Sequence, residues 1–231
     1  MGLFGGTPSM IDERVALKGR ADYGYAVPDT HEVLGNPIKP PYPDNLEVAV
    51  FGMGCFWGAE RIFWQLDGVW TTAAAYAGGY TPYPTYEEVC SGRTGHAEVA
   101  LVVYDPKQIT FEALVAVFFE NHNPTTRYQQ GNDVGTQYRS TILTTTPEQA
   151  EVADKVRTAY QARLTEAGHG EITTDIEPVG PIYLAEDYHQ QYLFKNPNGY
   201  CNHGFNGIAC PVGILAQDEV PSQQSVLGNT D

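Results

Sequence analysis

The chain has 231 residues, 42% of them hydrophobic, and a formal net charge of −15. This is enough apolar material for one sizeable core, with no linker long enough to impose a second one. The charge argues against a nucleic-acid or anionic-membrane partner, since a polyanion would be repelled over most of the surface; no apolar run approaches a membrane span, and the start lacks a signal-peptide pattern, so a cytoplasmic protein is expected.

Residues 1–44 are rich in Gly, Pro and Asp and close with GNPIKPPYPDN, which reads as an extended arm rather than core. EVAVFG, from Glu47 to Gly52, is a short β-branched and aromatic run, predicting a buried strand. GAERIFWQLDG follows with Ile62, Phe63 and Leu66 at helical spacing and Gly68 as a stop signal. VWTTAAAYAGGY predicts a strand running into a Gly-Gly turn, and HAEVALVVYD a central strand, apolar on both faces after Glu98. Phe111, Leu114, Val115 and Phe118 mark an amphipathic helix opened by Thr110. YRSTILTT predicts another strand. Thr146, Pro147 and Glu148 then supply a cap, a first-turn proline and a dipole-compatible acid for a long helix ending near Gly168. The strands ITTDIEPV and IYLAE and a short helix DYHQQYLF complete the core, before the turn-rich KNPNGYCNHGFNGIACPVG. Mixed strands and helices with several strand-to-strand steps predict an α+β fold, a two-layer ferredoxin-like sandwich of a mixed sheet with helices. The expected division is an arm over 1–44, a catalytic domain over 45–197 and a flexible tail over 198–231.

The four cysteines, Cys55, Cys90, Cys201 and Cys210, are too few for a disulfide scaffold, which favours redox or nucleophilic use. Cys55 stands in GCFWGAE, between a predicted strand and a predicted helix. There the positive end of the helix dipole and free backbone N–H groups would stabilise a thiolate, the nucleophilic form of cysteine. Phe56 and Trp57 could wall an apolar slot sized for a methyl or thioether-like group. Cys201, His203 and Cys210 make a poor zinc site, because Cys-x-His lacks the usual knuckle and a fourth ligand is missing. No cofactor is expected.

GCFWGAE, GGYTPYPTYEEVCSGRTGHAE, NHNPTTRYQQGNDVGTQYRS and YLAEDYHQQYLFKNPNGYC together resemble the A-type peptide methionine-sulfoxide reductases, over about Leu34 to Pro211. The resemblance implies Cys55 as nucleophile, Phe56 and Trp57 as the pocket for the substrate methyl, and Tyr86, Glu98, Asp133 and Tyr138 around the sulfoxide oxygen. It implies Cys201 as the resolving thiol, with Cys210 able to take over the disulfide, and reduction by thioredoxin or a low-molecular-weight thiol. The substrates implied are S-sulfoxides of free and protein-bound methionine. Between Cys201 and Cys210 the stretch NHGFNGIA departs from the family in carrying His203 and Phe205. Cys90 and His189 are expected to be structural. The rival readings are a thiol peroxidase or disulfide oxidoreductase, which would not need the aromatic slot, and a non-enzymatic redox-sensing module in which Cys201 and Cys210 staple the tail.

Overall fold

The computed structural model describes residues 8–211 and residue 213. In chain order its main elements are β1 (Glu47–Met53), α1 (Phe56–Trp64), β2 (Val69–Ala77), α2 (Tyr86–Cys90), β3 (Ala97–Tyr104) and α3 (Phe111–Glu120). There follow β4 (Gln129–Gln130), β5 (Asp133–Val134), β6 (Ser140–Thr144), α4 (Pro147–Glu166), β7 (Asp175–Pro178), β8 (Tyr183–Leu184) and α5 (Tyr192–Lys195). Six strands form one sheet in the order β7-β6-β1-β3-β2-β8, antiparallel except for β6 against β7. The succession β1-α1-β2-β3-α3-β6 is the βαββαβ unit expected from the sequence. α4 is the crossover between the parallel pair β6 and β7.

Alternation along the strands sorts side chains onto two faces. Ala49, Phe51 and Met53 of β1, with Ala100, Val102 and Tyr104 of β3, pack under α1, α3 and α4. Phe51 is the centre of this layer, stacked on Phe63 at 4.8 Å and close to Phe118 at 5.6 Å. Two predicted caps are present: Thr110 Oγ1 accepts from Ala113 N, and Thr146 Oγ1 from Gln149 N, both at 3.2 Å.

The opposite face carries Val50, Ala73, Ala75, Val99, Leu101 and Val103, and the N-terminal arm covers it with Tyr23, Val27, Ile38, Tyr42 and Leu46. The expectation that the arm stays out of the core therefore needs correcting. Ile38 and His31 are both 0% exposed. A period-based reading misses them because single apolar residues in a Pro-rich segment carry no repeat. Between arm and sheet lies a cavity of about 980 Å³, lined by residues such as Tyr42, Leu46, Leu101 and Ile182 and by none of the predicted site residues.

Two further differences bear on the site. The predicted short helix DYHQQYLF is broken into a 3-10 turn, Asp187–His189, and α5, with Gln191 between them at φ 46°. The break has a hydrogen-bonding cause: the Gln190 amide takes the place of a strand at the edge of β2, accepting from Ala74 N at 3.0 Å and donating to Ala74 O at 2.8 Å. The second is α2, which the periodicity did not predict, although Thr85 and Glu88 close a complete capping box. Among the described residues no helix is long and apolar enough to cross a membrane.

Removing the buried arm side chain by Ile38→Ala should cost about 2–5 kcal/mol, the range for large-to-small core changes, read from urea unfolding. An unchanged midpoint would show that the arm only lies on the sheet.

Candidate active site

Gly54, at φ 100°, turns the chain from β1 into α1 and leaves Cys55 as the residue preceding the helix. β3 brings Glu98 to the same place, opposite Tyr76 of β2 in the sheet register. The Glu98 carboxyl is 1% exposed; its Oε2 accepts from Phe56 N at 3.1 Å, and its Oε1 has no partner. An N–H of the first helical turn is thus capped by an acid from across the sheet rather than by a neighbour in sequence.

Burial pushes the Glu98 pKa up to about 8, beyond what the Phe56 N–H can offset, and Asp133 and Glu186 add to the rise. Cys55, 7% exposed, is also pushed up, first by burial and then by Glu98, against the lowering effect of a backbone hydrogen bond at Trp57. This corrects the expectation of a resting thiolate. A helix N-terminus stabilises an anion, but here desolvation outweighs it, so at neutral pH the pocket holds a thiol beside a carboxylic acid.

Cys55 and Phe56 share an apolar cluster with Ala74, Tyr76, Val89 and Ala185, against which Trp57, Tyr86 and Tyr138 pack half-buried. Trp57 lies flat on Tyr192, ring centroids 3.8 Å apart, and its Nε1–H donates to His189 Nδ1 at 2.9 Å. His189 was expected to be structural, yet its ring also meets Phe56 at 4.9 Å and Tyr86 at 4.5 Å. Burial lowers its pKa to about 3, so the ring is neutral and Nδ1 is free to accept. Glu186 was not anticipated either; it accepts from Tyr76 Oη at 2.7 Å and from Tyr86 N at 2.8 Å, fixing the start of α2. The Tyr86 hydroxyl bonds to Cys90. Tyr86 and Tyr138 are both held well above the ordinary phenol range, first by burial and next by Glu98.

The small hairpin β4-β5 supplies Asp133, whose Oδ2 accepts from Asn202 Nδ2 at 3.0 Å. Asn202 also donates to Gln130 O at 2.9 Å, and His203 Nε2–H to Met53 O at 2.7 Å. These bonds seat Cys201 beside α1. Gly58 makes the seat possible: a β-carbon there would fall 2.9 Å from Cys201 Sγ and collide with His203 Nδ1.

Eight of the nine predicted site residues are therefore brought together, and Cys210 is not. It is 6% exposed in the main helix-face core, and its N–H donates to Glu120 Oε1 at 2.7 Å. Burial and the carboxylates of Glu120 and Glu112 push its pKa up to about 12. The tail just before it is fastened by Asn206, which donates to Phe119 O and His122 O at 2.8 and 2.9 Å and accepts from Tyr160 Oη at 3.1 Å. Around Asn206 and Cys210 the tail expected to be flexible over 198–231 is docked, while 212 and 214–231 lie outside the described residues. All four cysteines are free, and among the described residues there is no cluster able to hold a metal.

A buried thiol at a helix start, an adjacent protonated acid, an apolar aromatic wall and a second thiol nearby define a thiol-dependent oxidoreductase. A family model, peptide methionine sulfoxide reductase, matches residues 47–209. The chain is 61% identical over 207 residues to the peptide methionine sulfoxide reductase MsrA of Salinispora arenicola, covering 89% of this chain and 94% of that protein. Methionine sulfoxide reductase A of Corynebacterium diphtheriae superposes with a TM-score of 0.79 at 48% identity, covering 88% of this chain and 98% of that one. Reduced Mxr1 of Saccharomyces cerevisiae gives 0.67 at 36%, covering 71% and 94%, and Mxr1 has also been solved in complex with Trx2. The chain belongs to the A-type peptide methionine sulfoxide reductases, and it reduces methionine sulfoxide.

The Glu98 titration has a consequence for stability. Its ordinary pKa is 4.5 and its folded value about 8. Between the two the folded state binds the extra proton, so this stabilisation is complete below the lower value and is lost as pH rises to the upper one. Glu98→Gln should therefore be more stable than the wild type at pH 8, with the gap closing toward pH 4.5. Equal urea midpoints at pH 8 would show that no buried acid is being ionised.

Proposed function

We propose that the chain reduces the S-sulfoxide of free and protein-bound methionine with Cys55 as nucleophile and Glu98 as general acid. The observation that carries the assignment is the Glu98 carboxyl: buried, protonated at neutral pH, bonded to the backbone next to Cys55 and with Oε1 unpaired. Sulfoxide sulfur is a poor electrophile until its oxygen is protonated or strongly hydrogen-bonded, which is what a neutral acid and two neutral phenols, Tyr86 and Tyr138, can supply. Phe56 and Trp57 receive the methyl group. Asp133 acts at second hand, orienting the tail through Asn202 and Tyr200.

In the first step Cys55 sulfur attacks the substrate sulfur while Glu98 protonates the oxygen. The oxygen passes to Cys55 as a sulfenic acid, methionine leaves, and the Cys55 thiol proton returns Glu98 to its acid form. Cys201 then condenses with the sulfenic acid, releasing water. Cys210 attacks the bridge, frees Cys55 and moves the disulfide to Cys201 and Cys210, where a thioredoxin-class dithiol, or a low-molecular-weight thiol, reduces it. The complex of Mxr1 with Trx2 favours the former. No resident cofactor enters this cycle. In this scheme the described part of the 1–44 arm, from residue 8 on, braces the sheet, 45–197 carry the chemistry and the 198–231 segment carries the relay thiols Cys201 and Cys210, in a thiol-reducing compartment such as the cytoplasm.

Single turnover of the reduced protein with each sulfoxide epimer, without added reductant, tests the scheme. Stoichiometric methionine is expected from the S epimer, with a bridge containing Cys201 found by mass mapping. Cys201→Ser should keep the methionine burst and accumulate sulfenic acid trappable by dimedone. Glu98→Gln should slow methionine release by about two to four orders of magnitude. An unchanged rate in Glu98→Gln would remove it as the acid.

A further inference from the structure

Arg61 lies on α1, and its Nη2–H donates to Cys201 Sγ across 3.1 Å. The thiol's own proton faces His203 O at 3.8 Å, so the sulfur is oriented from two sides. Among the described residues Arg61 takes part in no salt bridge; the sulfur has its cation without competition from a carboxylate. Gly58, on the same helix, is the opening through which Cys201 comes this close.

We propose that Arg61 is a catalytic residue of the resolving step, aiming Cys201 and offsetting the negative charge that gathers on its sulfur during attack. This rests on the reading of Cys201 as the resolving thiol. In the step the S–H bond of Cys201 breaks, an S–S bond to Cys55 forms and the S–O bond of Cys55 breaks. The oxygen leaves as water, carrying its own proton and that of Cys201. Cys55 sulfur is reduced and Cys201 sulfur oxidised, so no outside redox partner is consumed. A guanidinium suits the task because it stays charged and presents several donors in a rigid plane. It has no part in the preceding step, where the charge to be stabilised is on the sulfoxide oxygen at Glu98.

The two steps separate in single turnover with methionine S-sulfoxide, following methionine release, dimedone-trapped sulfenic acid and the Cys55–Cys201 bridge in parallel. Arg61→Gln should release methionine at the wild-type rate, accumulate sulfenic acid, and form the bridge about tenfold or more slowly, as for loss of a charge-stabilising donor. Arg61→Lys, which keeps the charge and loses the fork, should recover part of that rate. Bridge formation at the wild-type rate in Arg61→Gln would overturn the proposal. So would an equal slowing of methionine release, which would mark a general effect on the fold. If the wild type itself forms no Cys55–Cys201 bridge, the resolving role of Cys201 fails first and the role of Arg61 falls with it.

Discussion

The hydrogen bond from Phe56 N to the Glu98 carboxyl joins the start of a helix to the middle of a sheet and places an acid beside a thiol. Much of the surrounding structure serves to keep water away from that pair. β3 is buried along its whole length, and on β2 the small Ala74 packs with Cys55 and Phe56 at the start of α1. At Gly52 the absence of a side chain matters for the same reason, since a β-carbon would lie 2.7 Å from Thr141 Cγ2 and 3.3 Å from Glu98 O. Desolvation destabilises both anions, so the site rests uncharged, and in the proposed mechanism it would acquire its reactivity when a sulfoxide oxygen offers the acid an acceptor.

A second buried carboxyl holds the wall of the pocket. Glu60, also on α1 and 0% exposed, accepts from Gln191 N at 2.9 Å, Gln191 Nε2 at 2.7 Å and Thr72 Oγ1 at 3.1 Å. The left-handed turn at Gln191 is thereby satisfied on all sides, which fixes His189 two residues earlier and, through it, Trp57. The arm joins the same network: His31 Nε2–H meets Thr72 Oγ1 at 2.9 Å while Nδ1 accepts from Val33 N and Leu34 N. Arg20 of the arm likewise grips Glu88 at the start of α2, on which Tyr86 rides. An apparently accessory segment thus braces two sides of the pocket.

The legible parts of this molecule are those in which neighbouring residues carry the signal. The strands at Glu47 and Ala97, the helix begun by Thr110 and the Thr146-Pro147 start all follow from local pattern, and so does the position of Cys55 at a helix entrance. α2 was legible too, in the Thr85 and Glu88 capping box, but is too short for periodicity to show it. The protonation of Cys55 was not, because it depends on burial and on Glu98, a residue distant in sequence. His189 and Glu186 gain their meaning only from neighbours supplied by other elements. Cys210 has the same difficulty in reverse: a Gly- and Asn-rich stretch reads as loose, and only the carbonyls at the end of α3 show what Asn206 is for.

That anchorage gives the tail a mechanical character. A thiol packed in the core and tied through Glu120 cannot reach another sulfur without first breaking those bonds and uncovering apolar surface. In the proposed relay the passage of the disulfide to Cys210 would then be a local unfolding event as much as an exchange reaction, governed by how firmly Asn206 and its carbonyls hold. Such openings have steep temperature dependence and transiently lay backbone bare to proteases. The protein would therefore be most vulnerable to cleavage in the interval when it is handing its oxidising equivalents to the surface.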